Sequence, residues 1–306
     1  MKAIMSGASG YIGSNLLDKM IKQGFKVGVI GRSSKLPIES ELIDLYKADI
    51  TKPIKIVPNS DYDTFIHLAA ANDVDSLDTQ TAILTTVLGT KNCLDLCKEI
   101  GIKQFIYFST FQVYGNVSGI MNEDTLLAPN NDYGITHRFA EEYVEMYSRI
   151  LGLNYVIIRP TNIYGAPISK HIDRWTLVPN CFCKEAVEKK CITLMSSGKQ
   201  TRDFINLNDL TSITISIIKM FDKFKNQILN AASGNNFTIL EIAEIVREVY
   251  KNIFNENCDL NIKSNIPLIA NQVNVCNDKI KKVEFNFSSR DSIKQEITKI
   301  FNLLQN

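Results

Sequence analysis

The heptapeptide GASGYIG, residues 7–13, follows the short apolar run 1–5 and leads into the amphipathic segment 11–23. The run has the composition of a buried strand, and the segment has its apolar residues at helical spacing. A strand, a glycine-rich turn and a helix start, in that order, form a site for the pyrophosphate of a dinucleotide. The helix N-terminus would supply N–H groups and a partial positive charge to that anion.

The three glycines of this turn have different expected roles. Gly7 would allow the tight turn, Gly10 would let the backbone approach the phosphates, and Gly13 would let the helix pack on the strand. The position of the turn directly after a strand favours this interpretation over an ordinary glycine-rich loop.

Composition limits the classes of function. The chain has 306 residues, of which 45% are hydrophobic, and a formal net charge of +1. That length supports one large domain or two closely joined domains, and the near-neutral charge gives no electrostatic reason to expect nucleic acid or a membrane as partner. We find neither a membrane-length apolar run nor a signal segment, so a cytoplasmic location is expected.

The seven cysteines fit a reducing compartment, since their number is odd. Cys181, Cys183 and Cys191 are close in sequence, and His171 is the only candidate for a fourth metal ligand near them. We therefore expect no metal, and we expect these thiols to be buried or half-buried.

Strand and helix patterns alternate through the first half of the chain, which indicates an α/β fold with a parallel sheet between helices. The predicted strands are 26–30, 61–68, 104–108 and 155–159, and the predicted helices are about 79–99, 133–151, 209–221, 239–250 and 290–304. We expect a Rossmann-type doubly wound domain at 1–165 and a smaller α/β substrate lobe at 166–306. Some of the later chain is expected to return to the first domain.

Eight motifs connect this chain to a known family. They are GASGYIG at 7–13, ADI at 48–50, HLAA at 67–70, FSTFQVYG at 108–115, YGITH at 133–137, RPTNIYG at 159–165, RDFINLNDL at 202–210 and NAASG at 230–234. With them the chain resembles the extended short-chain dehydrogenase/reductases, specifically the nucleotide-sugar epimerase/dehydratase family typified by UDP-glucose 4-epimerase. The resemblance implies an NAD(P)-dependent oxidoreductase that acts on a nucleoside-diphosphate sugar.

The resemblance assigns the catalytic acid/base to Tyr133 and the catalytic Ser/Thr position to Thr110. Hydride transfer at a sugar carbon requires a proton to move at the oxygen, and a phenol with an ordinary pKa of about 10 needs help near neutral pH. In the family, a lysine one helical turn after the tyrosine gives this help and holds the nicotinamide ribose. This chain has His137 at that position.

His137 leaves three interpretations open. A neighbouring anion keeps the imidazole protonated and catalysis is intact; or the imidazole is neutral and only positions groups, in a slower enzyme that works better at high pH; or the site is degenerate and binds nucleotide sugars without redox chemistry. A second departure is Thr86, where the family usually has asparagine, and it puts one backbone or cofactor hydrogen bond in question.

The full set of predicted cofactor contacts combines the glycine-rich turn, the residues after the second strand and the positions that the resemblance implies. The corresponding positions are Gly7, Gly10, Tyr11, Ile12, Gly13, Arg32, Ser33, Asp49, Ile50, Leu68, Ala69, Ala70, Ser109, Tyr133 and His137. Among them, Asp49 and Ile50 match the adenine contacts of the family.

The residues after the second strand bear on the choice between NADP and NAD. NAD enzymes place a carboxylate there to accept the ribose hydroxyls. This chain has Gly31, Arg32, Ser33 and Ser34, and no carboxylate until Glu39. Arginine and serine can bind a 2′-phosphate, so we expect NADP, with NAD as the alternative.

The two residues directly after Thr110 narrow the reaction type. Family dehydratases have an acid pair there, whereas this chain has Phe111 and Gln112, so a 4,6-dehydratase is disfavoured. A 4-keto reductase is preferred because the Arg32 argument favours exchangeable NADPH. A 4-epimerase is the alternative, and a non-catalytic nucleotide-sugar-binding protein is the third candidate.

The resemblance also implies substrate contacts and an assembly. Asn162 and Arg202 match positions that hold the nucleotide diphosphate, although Arg202 is also a candidate ion-pair partner of Asp203. Family members dimerise through the two long helices, so a homodimer is expected. The apolar stripe of the first of these helices, around Ile83, Val87 and Leu94, is equally compatible with packing on the sheet.

Overall fold

The computed structural model describes residues 1–33, 35–58, 61–116, 118–263, 273–283 and 285–305. The strands are β1 Lys2–Ser6, β2 Lys26–Gly31, β3 Ile43–Lys47, β4 Thr64–His67, β5 Gln104–Phe108, β6 Gly119–Met121, β7 Asn154–Pro160, β8 Asn162–Tyr164, β9 Cys191–Leu194, β10 Thr201–Asn206, β11 Gln227–Ala231, β12 Asn236–Thr238, β13 Asp259–Ile262 and β14 Val273–Val275. The α-helices are α1 Tyr11–Lys22, α2 Thr79–Ala82, α3 Gly89–Ile100, α4 Asp132–Leu151, α5 Val178–Lys189, α6 Leu207–Lys219, α7 Phe221–Phe224, α8 Ile239–Phe254, α9 Asp278–Lys281 and α10 Ser292–Gln305. Short 3-10 helices lie at Asp75–Leu77 and Phe111–Tyr114, and a π-helical segment lies at Ile83–Leu88.

Seven strands form the main sheet, in the order β11-β7-β5-β4-β1-β2-β3. The neighbours β2 and β3, β1 and β2, β1 and β4, β4 and β5, and β5 and β7 are parallel. The chain moves outward from β1 in one direction through β2 and β3 and then in the other through β4, β5 and β7. This reversal beside the first strand defines the Rossmann-type doubly wound fold, as the sequence predicts.

The chain divides into two compact units. Unit 1 comprises Met1–Asn116, Glu123–Pro160 and Thr211–Asn230, and unit 2 comprises Val117–Asn122, Thr161–Leu210 and Ala231–Asn306. Unit 1 has a core between the sheet and its helices, with Phe65, Phe105 and Ile157 among its fully buried side chains. Unit 2 has a separate core in which α5, α8 and α10 pack together.

The predicted elements are present with shifted ends. The strand predicted at 61–68 is limited to Thr64–His67, and the helix predicted at 79–99 is α2, the π-helical segment and α3 in succession. Of the predicted dimer stripe, Ile83 is exposed but Leu94 is fully buried. Leu94 therefore belongs to the core of unit 1, and the stripe does not form one outward surface.

Candidate active site

The glycine-rich turn brings three stretches of backbone into contact. Gly7 has a φ of +77°, and a Cβ there would lie 2.6 Å from the backbone nitrogen of Ala69, beyond the end of β4. A Cβ on Gly13 would lie 2.1 Å from the carbonyl oxygen of Gly7, so only glycine lets α1 pack this closely on the turn. Gly10 is exposed and is the N-cap of α1, which no side chain of the described residues caps.

The first turn of α1 and the end of β4 contribute the next predicted contacts. Tyr11 is buried and Ile12 is half-buried at the start of α1. Leu68, Ala69 and Ala70 follow β4 and are half-buried. Parallel strands present their carboxyl ends at one edge of the sheet, so these residues lie at the edge where ligands bind in such folds.

Thr86, the second departure from the family pattern, makes a hydrogen bond to the backbone. Its buried hydroxyl oxygen accepts the N–H of Ala71 at 3.1 Å, which fixes the backbone just after the 68–70 segment. Thr86 lies in the π-helical segment, a feature that is common at functional sites. Thr86 therefore makes a side-chain hydrogen bond to the backbone at this point.

Arg32 and Asp49 follow β2 and β3, which are neighbouring strands of the main sheet. Arg32 and Ser33 are exposed, and the Ser33 hydroxyl donates to the carbonyl of Lys35 at 2.9 Å. Two hydrogen bonds from Thr51 and the charge of Arg32 hold the pKa of Asp49 below its ordinary value. Ser34, the second serine of the predicted phosphate site, lies outside the described residues.

The Tyr133 end of α4 packs against the segment that follows β5. Asn131 caps α4, with its side-chain oxygen accepting the N–H of Gly134 at 2.7 Å, and its side-chain nitrogen donates to Gln112 at 2.8 Å. A Cβ on Gly134 would lie 2.7 Å from the carbonyl oxygen of Gln112. The glycine after Tyr133 thus allows the close approach of this turn to the segment that begins at Thr110.

Ser109 and Thr110 directly follow β5, and both hydroxyl side chains are buried. The Thr110 oxygen accepts the N–H of Gln112 at 3.2 Å, and no acceptor for its hydroxyl hydrogen occurs among the described residues. The hydroxyl oxygen of Ser109 is buried and has no hydrogen-bond partner in the described part of the chain. Both side chains can therefore serve a ligand.

His137 lies one turn after Tyr133, and its ring makes an edge-on contact with the tyrosine ring at a centroid distance of 4.7 Å. Its Nδ1 is 2.7 Å from the hydroxyl of Tyr107, while its buried Nε2 has no partner among the residues described. Burial lowers the pKa of His137 to about 3, so the ring is neutral. Burial is the cause of this shift and no anion is among its causes, which argues against the first of the three interpretations, in which an anion keeps the imidazole protonated.

Tyr107, Thr90 and His67 are buried polar neighbours that the sequence does not predict as site residues. His67 stacks on Tyr107 with a centroid distance of 5.7 Å, and its Nε2 is 2.9 Å from the hydroxyl oxygen of Thr90. Burial also lowers the pKa of His67 to about 3. The HLAA motif contains His67 and the predicted strand 104–108 contains Tyr107, but sequence alone does not show that they meet.

The predicted substrate contacts Asn162 and Arg202 both lie in unit 2. The Asn162 side chain donates to the carbonyl of Asp203 at 2.9 Å. The Asp203 carboxylate is buried and accepts hydrogen bonds from Thr161 and from the backbone of Ser233 and Gly234. Arg202 is exposed and forms no ion pair within the described residues, so the alternative in which it pairs with Asp203 is wrong.

The cysteines of the 181–191 region lie in unit 2. Cys183 is buried, whereas Cys181 and Cys191 are half-buried. Burial raises the pKa of the Cys181 and Cys183 thiols, which therefore stay protonated at neutral pH. No group of three or more metal-ligating side chains occurs in the described ranges, and none of the described helices is long and apolar enough to span a membrane.

A dinucleotide fits the residues of unit 1. The turn at 7–13 leaves no room for a Cβ at Gly7 or Gly13, as a close backbone cradle requires. Two of the buried atoms without partners among the described residues, Ser109 Oγ and His137 Nε2, lie at predicted cofactor contacts, where a ligand would supply hydrogen-bonding groups. The sheet order and the glycine-rich turn together define a Rossmann-type dinucleotide-binding fold.

Comparison with known proteins places the chain more narrowly. Residues 3–232 match the model of the NAD dependent epimerase/dehydratase family. The chain therefore belongs to this family, and it is an enzyme of the extended short-chain dehydrogenase/reductase group that the motifs predict. The family match extends from β1 to the NAASG motif.

Individual relatives illustrate the range of this family. The chain is 30% identical to UDP-glucuronic acid decarboxylase 1 of Arabidopsis thaliana, over 81% of this chain and 58% of the relative. It is 30% identical to the dTDP-D-glucose 4,6-dehydratase of Dictyostelium discoideum, over 79% of this chain and 61% of the relative. Both relatives are thus considerably longer than the matched region.

Solved structures share the fold. The UDP-glucuronic acid 4-epimerase of Bacillus cereus, in complex with UDP-glucuronic acid and NAD, superimposes with a TM-score of 0.82. The two chains are 23% identical, and the match covers 100% of this chain and 99% of the other. At that identity the likeness establishes the shared architecture.

Proposed function

We propose that this chain moves a hydride between a nicotinamide cofactor and C4 of a nucleoside-diphosphate sugar, while Tyr133 exchanges a proton with the sugar oxygen. The observation that carries the proposal is the packing of the first turn of α4 on the segment after β5. Gly134 and Asn131 make that contact, so Tyr133 and Thr110 come from two elements held together at the carboxyl edge of the sheet. A bound nicotinamide would supply or accept the hydride.

Each residue has a defined part in this proposal. Tyr133 gives a proton to the forming alkoxide or takes it from the hydroxyl. Thr110 donates its hydroxyl hydrogen to the same oxygen. This is possible because the Thr110 oxygen only accepts the N–H of Gln112, so its own hydrogen is available. Ser109 and His137 hold the cofactor with the hydroxyl and ring nitrogen that have no partner among the described residues.

The neutral state of His137 favours the reductive direction. A lysine ammonium beside Tyr133 would stabilise a phenolate, whereas a neutral imidazole gives no fixed charge. The phenol then keeps its proton and can donate it to the alkoxide that forms when a 4-keto sugar is reduced. We therefore propose a 4-keto reductase.

A 4-epimerase is the second candidate. The Bacillus cereus protein with the same fold is a UDP-glucuronic acid 4-epimerase. An epimerase keeps its NAD bound and uses Tyr133 in both directions. A 4,6-dehydratase is disfavoured, because Phe111 and Gln112 stand where such enzymes carry an acid pair, although a relative of that name is 30% identical.

We propose NADP as the cofactor, with NAD as the alternative. Arg32 is exposed at the end of β2, where the 2′-phosphate of NADP would lie in this fold. Its positive charge is among the causes that lower the pKa of Asp49, so the two side chains attract each other. A 2′-phosphate there could bind the guanidinium of Arg32 and the hydroxyl of Ser33.

The substrate and the assembly are proposed on different grounds. Asn162 and Arg202 are proposed to hold the nucleotide diphosphate, since Arg202 is exposed and has no ion-pair partner among the described residues.

A homodimer is proposed because Ile83, Leu84 and Phe139 expose apolar surface on the π-helical segment and α4. Sedimentation of wild-type protein and of Phe139→Glu tests the dimer.

The deciding experiment separates the reductase from the epimerase. Purified protein is given UDP-, dTDP-, GDP- and CDP-sugars, each with and without a 4-keto group, and NADPH oxidation is followed by absorbance. Stoichiometric NADPH oxidation with a 4-keto sugar supports the reductase. Epimer formation without net cofactor oxidation, together with NAD released on denaturation, supports the epimerase, and the absence of both leaves only nucleotide-sugar binding.

A further inference from the structure

Ser6, His67 and Tyr107 form a row across three strands of unit 1. Ser6 on β1 is the register partner of His67 on β4, and His67 is the register partner of Tyr107 on β5. Side chains at paired positions of parallel strands leave the sheet on the same face. On that face the row meets Thr90 of α3 and His137 of α4.

The hydrogen-bond directions in this row begin at Thr90. Its hydroxyl donates to the backbone carbonyl of Thr86 at 2.5 Å, and a carbonyl can only accept. The Thr90 oxygen is therefore an acceptor toward His67, so the proton of the neutral His67 ring is on Nε2, at 2.9 Å. The Ser6 hydroxyl then donates to His67 Nδ1 at 2.6 Å.

Tyr107 has one hydroxyl hydrogen to donate. Two acceptors compete for it, the hydroxyl oxygen of Thr90 and Nδ1 of His137. The Thr90 oxygen already accepts the N–H of His67, whereas Nδ1 of His137 lies 2.7 Å from the phenol oxygen. An imidazole nitrogen is a stronger base than a hydroxyl oxygen, so the phenol hydrogen goes to Nδ1. Because the bond made by one ring nitrogen fixes the state of the other, the proton of His137 is then on Nε2.

We propose that Tyr107 is a positioning residue, which holds His137 in the Nε2–H tautomer and so gives the cofactor site a buried, neutral N–H donor in place of the family's lysine ammonium. The buried Nε2 atom has no partner among the described residues, which indicates that a ligand accepts its hydrogen. Its complement is a hydroxyl oxygen of the bound cofactor, which accepts this hydrogen. That second half of the inference rests on the proposed function, whereas the tautomer does not.

The tautomer is measured directly in protein without cofactor. The chain has only three histidines, so a long-range ¹H–¹⁵N correlation of protein labelled at histidine gives three ring patterns. His67→Gln and His171→Gln identify the remaining signals. For His137 we expect a pyrrole-type Nε2 and a pyridine-type Nδ1, and Tyr107→Phe shifts both toward averaged values. A pyrrole-type Nδ1 in the wild type, or an unchanged pattern in Tyr107→Phe, overturns the inference.

Cofactor affinity tests the second half, with Tyr147→Phe as the matched control. Tyr147 is also a buried tyrosine, and its hydroxyl donates to Asp95, away from His137. Calorimetric titration with NADPH and NADH is expected to give about tenfold weaker binding to Tyr107→Phe, and unchanged binding to Tyr147→Phe. Equal affinity of the wild type and Tyr107→Phe overturns the donor role.

The two measurements separate this inference from the proposed function. Normal cofactor binding with the Nδ1–H tautomer means that the inference is wrong while the proposed function stands. The Nε2–H tautomer in a protein that binds neither cofactor means that the proposed function and the donor role are both wrong, and only the positioning of His137 by Tyr107 remains.

Discussion

Arg159 and Glu141 form a buried, bidentate ion pair within unit 1. The guanidinium donates to the two carboxylate oxygens at 2.9 and 2.7 Å, and the side chains are 2% and 5% exposed. Arg159 also donates to the hydroxyl of Tyr114 at 2.8 Å. Glu141 lies two turns after Tyr133 on α4, so the pair fixes the helix that carries the proposed catalytic residues to β7.

Removal of one member of this pair is expected to destabilise the protein strongly. Glu141→Ala leaves the Arg159 charge buried without its partner, which costs about 3–5 kcal/mol in the free energy of unfolding. Urea titration followed by circular dichroism measures the loss. The control is Asp18→Ala, since the exposed pair of Asp18 and Lys22 contributes about 0.3–0.5 kcal/mol. Equal losses in the two variants would contradict the assigned role.

Gly13→Ala tests the close packing of α1 on the glycine-rich turn. A Cβ at Gly13 overlaps the carbonyl oxygen of Gly7, so the turn must move. We expect a loss of about 1–3 kcal/mol in the free energy of unfolding and much weaker binding of either nicotinamide cofactor. Gly31→Ala is the stability control, because a Cβ there meets nothing within 4 Å. Wild-type stability and cofactor affinity in Gly13→Ala would show that this cradle is not needed.

The glycine-rich turn could be predicted from sequence because it depends on local pattern, whereas the site on α4 is a prediction that comes from the family resemblance. A turn with glycines at 7, 10 and 13 requires backbone contacts that only glycine allows, and the structure shows them at Gly7 and Gly13. In contrast, the sequence does not predict β3. This strand is at the edge of the sheet, with only Tyr46 buried and the apolar Leu45 exposed, so its pattern does not alternate with burial.

The polar neighbours of His137 could not be predicted for a different reason. Tyr107 and His137 are separated by 30 positions, and their contact depends on strand register and on how α4 packs. The charge of a histidine also depends on burial, which the sequence does not give at one position. The role of Thr86 is hidden in the same way, because its partner Ala71 lies on another segment.

Arg32 provides the test of cofactor choice. A charge-assisted contact with the 2′-phosphate is worth about 1.5–3 kcal/mol, so Arg32→Ala is expected to weaken NADPH binding by about 10- to 100-fold and to leave NADH binding unchanged. Fluorescence titration with both cofactors measures the preference. Lys22→Ala removes a positive charge elsewhere on unit 1 and serves as the control. Equal affinity of the wild-type protein for NADPH and NADH would refute the NADP assignment.

The buried histidines predict how stability depends on pH. The unfolded chain binds a proton at each histidine below a pKa of about 6.5, whereas burial lowers the folded pKa of His137 to about 3. The unfolded state therefore binds more protons between these two pKa values. The contribution of the neutral histidine to the free energy of unfolding is fully present above about pH 6.5 and is lost as the pH falls toward 3. His137→Gln is expected to reduce the slope in this window by about 1.4 kcal/mol per pH unit.

Unfolding of wild type, His137→Gln and His171→Gln at several pH values checks this prediction. His171 is exposed, so its replacement is expected to leave the slope unchanged. A wild-type slope in His137→Gln would mean that His137 gains its proton in the folded protein at an ordinary pKa. That result would remove the evidence against the interpretation in which an anion keeps the imidazole protonated.

Tyr133→Phe tests the proton transfer itself. The substitution keeps the ring that contacts His137 and removes only the hydroxyl, so the fold and cofactor affinity are expected to stay near wild-type values. Loss of a positioned acid or base costs about 10²- to 10⁴-fold in turnover, and we expect a fall of that size. Single-turnover absorbance of NADPH with the active 4-keto sugar measures the hydride step, and calorimetry measures cofactor binding. Thr110→Val gives a smaller loss in the same assay, since it removes one hydrogen bond to the reacting oxygen and leaves the proton carrier in place. Wild-type turnover in Tyr133→Phe would require another proton carrier, and the pairing of Tyr133 with a neutral histidine would then have no part in the chemistry.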